Sequence, residues 1–451
     1  MKQYDFIDFS KMHDYESYSA NIMLEYRTSL AEGKKIEHLK PLFEAVASLE
    51  PSAFKEKLCD DIFYKLAEIP VSEDFPYHEP SELDEIKAAR RKDIPVFAKP
   101  EDKELALEKI KGAWIGRVAG CLLGKPVECW TRAQIHELAK RQDNFPITKY
   151  LKEDIEYIEQ EKQWNNKSWI DTINGVMPMD DDTNYTALAA LKIVGSNGRN
   201  FTSDNVLTEW TVWQSRNAYC TAERVAYKNH LMGMYSPNTA RYKNAYREYI
   251  GAQIRGDYFG YINPGNCEMA AEMAWRDAYI SHVKNGIYGE MYIAAMLAAA
   301  AVSDDILTVI DAGIAQIPEK SRLYKDICIT VDAFKEGKTY DEFLAMFDNK
   351  YNESMQRDWC FTNANAMLVT AALLYGGKDF GKVISLGVMP GFDTDCNGAT
   401  AGSIFGMMYG EKAIDEYWVK PFNKKFTTAI FGYEIVDVDD MAELTMKHIE
   451  W

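Results

Sequence analysis

Residues 391–410 read GFDTDCNGATAGSIFGMMYG. Gly398, Gly402, Gly406 and Gly410 recur every fourth residue, the spacing that sets side chains on one helix face. A glycine inside a helix costs up to about 1 kcal/mol relative to alanine, so four of them need compensation. A bare face supplies it by letting a second helix approach backbone to backbone. Residues 112–128 read GAWIGRVAGCLLGKPVE, with Gly112, Gly116, Gly120 and Gly124 at the same spacing. Both stretches are expected to be central core helices, which the matching ladders would bring into mutual contact. GxxxG spacing also serves membrane helices, but these two are too polar to span a bilayer.

Outward from this pair, helical periodicity dominates. Apolar residues at three- and four-residue spacing mark 39–49, 102–123, 183–194, 268–282, 291–302, 364–374 and 397–409. Alternating strand patterns are almost absent, and residues 206–213 read either way. The fold class expected is all-α. Pro76, Pro80 and Pro95, set among charges between Glu73 and Lys103, read as a linker. It divides a helical N-terminal accessory segment (1–100) from a main domain (101–451). The polar stretch 129–175 is expected to loop over one face of that domain.

The chain has 451 residues, 47% hydrophobic and 27% charged, enough for a large buried core. Its formal net charge of -18 comes without a basic patch, which argues against nucleic-acid binding. Most of the acidic surplus reads as solubility, the rest as carboxylates available to cations. The eight cysteines form no CxxC pair, so neither a structural zinc site nor a disulfide framework is expected. The first residues have no apolar signal-peptide core, and 291–302 is too short to cross a bilayer. A cytoplasmic protein is expected, with no membrane association; the oligomeric state stays open.

Two acidic clusters carry the chemistry. Asp180-Asp181-Asp182-Thr183 precedes a helical run, and Asp393-Thr394-Asp395-Cys396 opens the second glycine helix. Helix capping explains one or two acids at such a place. Three in a row repel one another, a repulsion a hard cation would relieve. Acids two apart beside a rigid glycine-faced helix can converge on one point, and oxygen donors favour Mg²⁺, Mn²⁺ or Ca²⁺ over zinc. Together the clusters could chelate two divalent ions, a centre able to activate water and fix a leaving bond. Glu128 lies just past the end of the first glycine helix, where it is either a surface residue or a third party to that centre. The loop Gly256–Asn266, containing Gly260, Asn263, Gly265 and Asn266, leads into a helix, either as an ordinary loop or as an anion site. Its Tyr258, Phe259 and Tyr261 could stack on a ring. His282, ending the following helix, is either a packing residue or part of the site.

In order and spacing these elements resemble the ADP-ribosylglycohydrolase family. Gly112–Glu128 is similar to its opening glycine-rich helix and glutamate, Asp180–Thr183 to its first metal motif, Glu268–Ala300 to its middle segment with a histidine, and Gly391–Gly410 to its closing motif. The match spans about residues 105 to 415. It implies a compact orthogonal helical bundle, and an all-α hydrolase with a two-magnesium centre, Mn²⁺ being possible, that cleaves the bond from C1″ of ADP-ribose to an acceptor. By the same resemblance Asp181, Asp182, Asp393 and Asp395 are metal ligands, with Asp180 and Cys396 beside them. Glu128, Asp182 and Asp393 take the catalytic roles, and Gly260, Asn263, Gly265, Asn266 and His282 bind substrate. The chain departs from the family in three places: Asp180 and Cys396 stand where Thr is usual, and Cys121 where Asp is common. Two other readings remain, a hydrolase of another ribosyl or sugar glycoside and a weakly catalytic nucleotide-binding protein.

Overall fold

Where two helices have no side chains at their interface, only the carbonyl-lined backbone limits their approach. A computed structural model describes residues 7–451, so the first six residues of the accessory segment lie outside it. The two glycine ladders form one antiparallel seam between helices Lys103–Gly124 and Thr394–Tyr409. A Cβ added to Gly112 would lie 2.5 Å from the Gly406 carbonyl oxygen. On Gly116, Gly120 and Gly124 it would meet the carbonyls of Gly402, Gly398 and Thr394 closer still. No side chain fits there, which answers why the sequence accepts so many helix-breaking residues.

Around the seam pack Asn285–Ala300, Thr362–Gly376, Phe380–Val388 and Val438–His448, all with buried faces. The fold is all-α. The strands among the described residues are Lys425–Thr427 and Ile435–Asp437, a short antiparallel pair. Residues 206–213 fall within the helix Ser203–Trp213. None of the described helices is long and apolar enough to cross a membrane, and all eight cysteines are free thiols.

Two stretches differ from their expected form. Residues 129–175 hold two helices, Arg132–Arg141 and Ile155–Gln160, because Trp130, Ile135, Leu138, Tyr157 and Trp169 anchor them in the core. The expected linker is a belt bound to the main domain. Glu79 accepts from Arg322 Nη2 at 2.7 Å and Asn285 Nδ2 at 2.8 Å, Trp275 Nε1 donates to the Ser81 carbonyl at 2.9 Å, and Ile86 is fully buried. The prolines suppress helix there without freeing the chain. Before the belt, helices Ile22–Ala31, Lys40–Ala47 and Ala53–Glu68 share a small core of their own around Ile22, Phe43 and Cys59.

Candidate metal centre

At the seam's C-terminal end on the first helix and N-terminal end on the second, the chain concentrates acids. Thr394 Oγ1 donates to the Gly124 carbonyl at 2.8 Å, pinning the start of one helix to the end of the other. Gly391 and Phe392 both have positive φ, 79° and 62°. Asn365 Oδ1 then accepts from the Asp393 amide at 3.2 Å and from Asn397 Nδ2 at 2.8 Å. This tight turn aims Asp393 and Asp395 from a rigid base. Asp180 caps the helix Asp181–Leu188, accepting from the Asp182 amide at 2.9 Å. That helix runs on into a π-helical turn, Ala189–Val194, a distortion frequent beside functional sites.

The carboxylates converge. Ligand atoms of Glu128, Asp393 and Asp395 lie within 4.8 Å of one another, as do those of Asp182, Asp395 and Cys396, and those of Cys121, Asp180 and Asp182. Shared members join the three sets into one centre. Asp182 Oδ2 and Asp395 Oδ1 are buried with no hydrogen-bond partner. A bare buried carboxylate oxygen is costly to leave unmatched. Burial pushes the Asp182 and Asp395 carboxyls well above the usual range, and their acidic neighbours add to it. Asp181 is pushed the same way by burial, then by Asp180 and Glu128. Burial and the Asp393 charge drive Glu128 up to about 7, against the pull of Lys125. A divalent cation would relieve the whole set at once, and the carboxylate-rich donors suit a hard ion. The thiols of Cys121 and Cys396 are the soft exceptions.

Several residues of the centre escaped the sequence reading. Arg117, fully buried, binds Asp182 twice, Nη2 to Oδ1 at 3.1 Å and Nε to the backbone carbonyl at 2.7 Å. Its Nη1 pairs with Asp257 at 2.9 Å, which accepts in turn from Ser403 of the second glycine helix. An arginine inside a helix expected to be wholly buried is the signal that could have found it, since such a charge needs an acid. Lys125 Nζ pairs with Asp180 Oδ2 at 2.6 Å and holds that carboxyl below its usual range, though burial alone would raise it. With one oxygen on Lys125 and the other on the helix amide, Asp180 has less to offer a metal than Asp182 or Asp395. Cys360 donates Sγ to Asp393 Oδ2 at 3.2 Å. Nothing in its sequence context pointed there.

The expected substrate loop reaches the centre through Asp257 on Arg117, while the loop residues expected to bind substrate have protein partners of their own. Gly260 abuts Leu297 and the Ala294 carbonyl, Gly265 N donates to the Ala298 carbonyl at 2.8 Å, and Arg199 bonds the Ile262 carbonyl and Asn263. Asn266 only caps its own helix. The amides meant for an anion are spent on protein carbonyls, and Tyr258, Phe259 and Tyr261 are fully buried. His282 is also fully buried, with Nδ1 on Ser281 Oγ at 2.8 Å; its polar contacts lead to Arg255, not to the acids. The structure therefore gathers Glu128, Asp180, Asp182, Asp393, Asp395 and Cys396, places Asp181 in their field, and leaves the other five outside.

The family model described as ADP-ribosylglycohydrolase matches residues 102–448. No curated protein matches the chain. Among solved structures, it is similar to a chain described as "ADP-ribosylglycohydrolase-related protein complex", at 16% identity and a TM-score of 0.49, over 76% of this chain and 98% of that one.

Proposed function

The chain belongs to the ADP-ribosylglycohydrolase family, and on that premise we propose that it is a metal-dependent hydrolase cleaving the bond between C1″ of ADP-ribose and an acceptor. One observation carries the metal dependence: Asp182 and Asp395 meet across the glycine seam, each with a buried oxygen that no protein donor satisfies. Asp181, Asp182, Asp393 and Asp395 would hold Mg²⁺ or Mn²⁺, with Glu128 and Cys396 at the edge of the set. When bound, the ions supply Lewis acidity toward the ribosyl oxygens and the water.

The residues do the rest. Glu128, half-buried and within 4.8 Å of Asp393 and Asp395, orients the water and takes its proton as the oxygen attacks C1″. The bond from C1″ to the acceptor breaks, and the acceptor leaves with the proton that Glu128 took from the water. The surrounding carboxylates stabilise positive charge developing on the ribosyl ring. Arg117 keeps Asp182 turned, presenting Oδ2 rather than Oδ1.

A panel of ADP-ribosyl conjugates assayed with Mg²⁺ or Mn²⁺ tests the reading. Turnover of at least one conjugate is expected, and its loss in the Asp393→Ala, Asp395→Ala double variant. Turnover surviving that change would refute the metal-centred mechanism. Cys396 favours a second reading, a nucleotide-binding protein of weak activity, because a soft thiol stands among hard ligands. Metal-dependent stabilisation by ADP-ribose without hydrolysis of any conjugate would select it.

A further inference from the structure

Residues 253–257 engage one buried arginine and supply another. The Ile254 carbonyl accepts from Arg117 Nη2 at 2.5 Å, and Asp257 Oδ1 lies 2.9 Å from Arg117 Nη1. Asp257 Oδ2 accepts from Ser403 and from Tyr261 Oη, the latter at 3.4 Å. Arg255 belongs to the segment itself. It donates to the carboxylates of Glu223 and Asp277, to the Asp277 carbonyl at 3.2 Å and to Ser281 Oγ at 3.0 Å, with Glu290 at 3.6 Å. All these side chains are buried.

Where ion pairs are shut from water, moving one partner strands the charge of the other. Arg255 therefore fixes the backbone that carries Ile254 and Asp257, and those two fix the guanidinium of Arg117. An arginine facing a single aspartate commonly closes on it as a two-point fork over both oxygens. Arg117 faces two aspartates. Asp257 draws Nη1 away, so the Asp182 carboxylate receives Nη2 alone, on Oδ1 at 3.1 Å. Asp182 Oδ2 is left without a partner.

We propose that Asp257 is a positioning residue of the metal centre: by sharing Arg117 with Asp182 it keeps the guanidinium off Asp182 Oδ2 and leaves that oxygen to the cation. Arg255 serves the same end one step further back, by holding Asp257 in place. The inference rests on the metal-centred reading above and involves neither substrate nor acceptor.

Mn²⁺ binding to the whole folded protein, read from the electron paramagnetic resonance of the free ion, tests it without any substrate. Wild type, Asp257→Asn, Arg117→Met and the double variant form a cycle. Asp257→Asn should raise the Mn²⁺ Kd about tenfold, because Arg117 then closes over both oxygens of Asp182. In the Arg117→Met background the same change should alter Kd by less than about twofold, since no guanidinium is left to close. A merely structural Asp257 would weaken binding equally in both backgrounds, or lower the melting temperature alone. Either result overturns the inference and leaves the metal centre standing. Where a member of the cycle does not fold, Arg255→Lys keeps the charge but loses the planar fork that holds the segment. It should raise Kd about threefold, and an unchanged value overturns the inference. Failure of the wild type to bind Mn²⁺ overturns both this inference and the metal-centred reading.

Discussion

Asp395 and Asp182 each keep a buried oxygen free of protein donors, in the field of several other carboxylates. Without a cation that arrangement is destabilising, so function and stability pull in opposite directions at these positions. Asp395→Asn should raise the melting temperature of the metal-free protein by about 2 °C. The same change should abolish the further rise that Mn²⁺ gives the wild type. Thermal unfolding with and without the ion reads both effects, and a fall in the metal-free value would count against a cation site. On the proposed reading, Cys396 would bear on which ion the centre prefers. Its sulfur lies within 4.8 Å of ligand oxygens of Asp182 and Asp395, so Cys396→Thr replaces a soft neighbour by a hard one. Calorimetry should show Mg²⁺ affinity improved, by about tenfold, relative to Cd²⁺.

At the level of the element, the seam decides whether the two clusters meet at all. Gly120 faces the Gly398 carbonyl too closely for any side chain. Gly120→Ala should destabilise by about 3 kcal/mol or more, because backbone on both sides must move. Urea unfolding measures the cost, and metal affinity should fall with it as the acids separate. By contrast Gly337, with φ +76° and open space around it, should tolerate Asn with less than about 1 kcal/mol lost. Both ladders and both acidic motifs were legible in the sequence because each is local: period four for the seam, adjacency for the acids. Their meeting was legible only as an inference from matching ladders. The role of the loop Gly256–Asn266 was not legible, because a glycine-containing stretch before a helix looks the same whether its amides face a ligand or, as for Gly265, the Ala298 carbonyl.

For the whole molecule, buried ion pairs fasten the N-terminal segment to the main domain. Burial would raise the Glu79 carboxyl, but Arg322 and Asn285 hold it below its ordinary 4.5. Burial and Arg247 set Glu32 the same contest, and Arg247 wins. Both acids therefore bind protons more weakly folded than unfolded. The stability they contribute is present above the ordinary carboxylate pKa and is lost as pH falls below it. Between about pH 6 and about pH 4, the wild type should lose more stability than Glu79→Gln, which is already weakened at the higher pH. Melting curves at the two pH values check it, and equal losses would remove Glu79 from the account.

The sequence by itself determined the helical class, the two core helices and the residues most able to hold a metal, because period and adjacency act over a few residues. Only the tertiary structure decided which of those residues share one centre. It put Arg117 behind Asp182 and Lys125 on Asp180, brought Cys360 to Asp393, and set Asn263 on Arg199 and His282 on Ser281. Such pairings depend on how helices pack in three dimensions, and the spacing of residues along the chain holds no record of them.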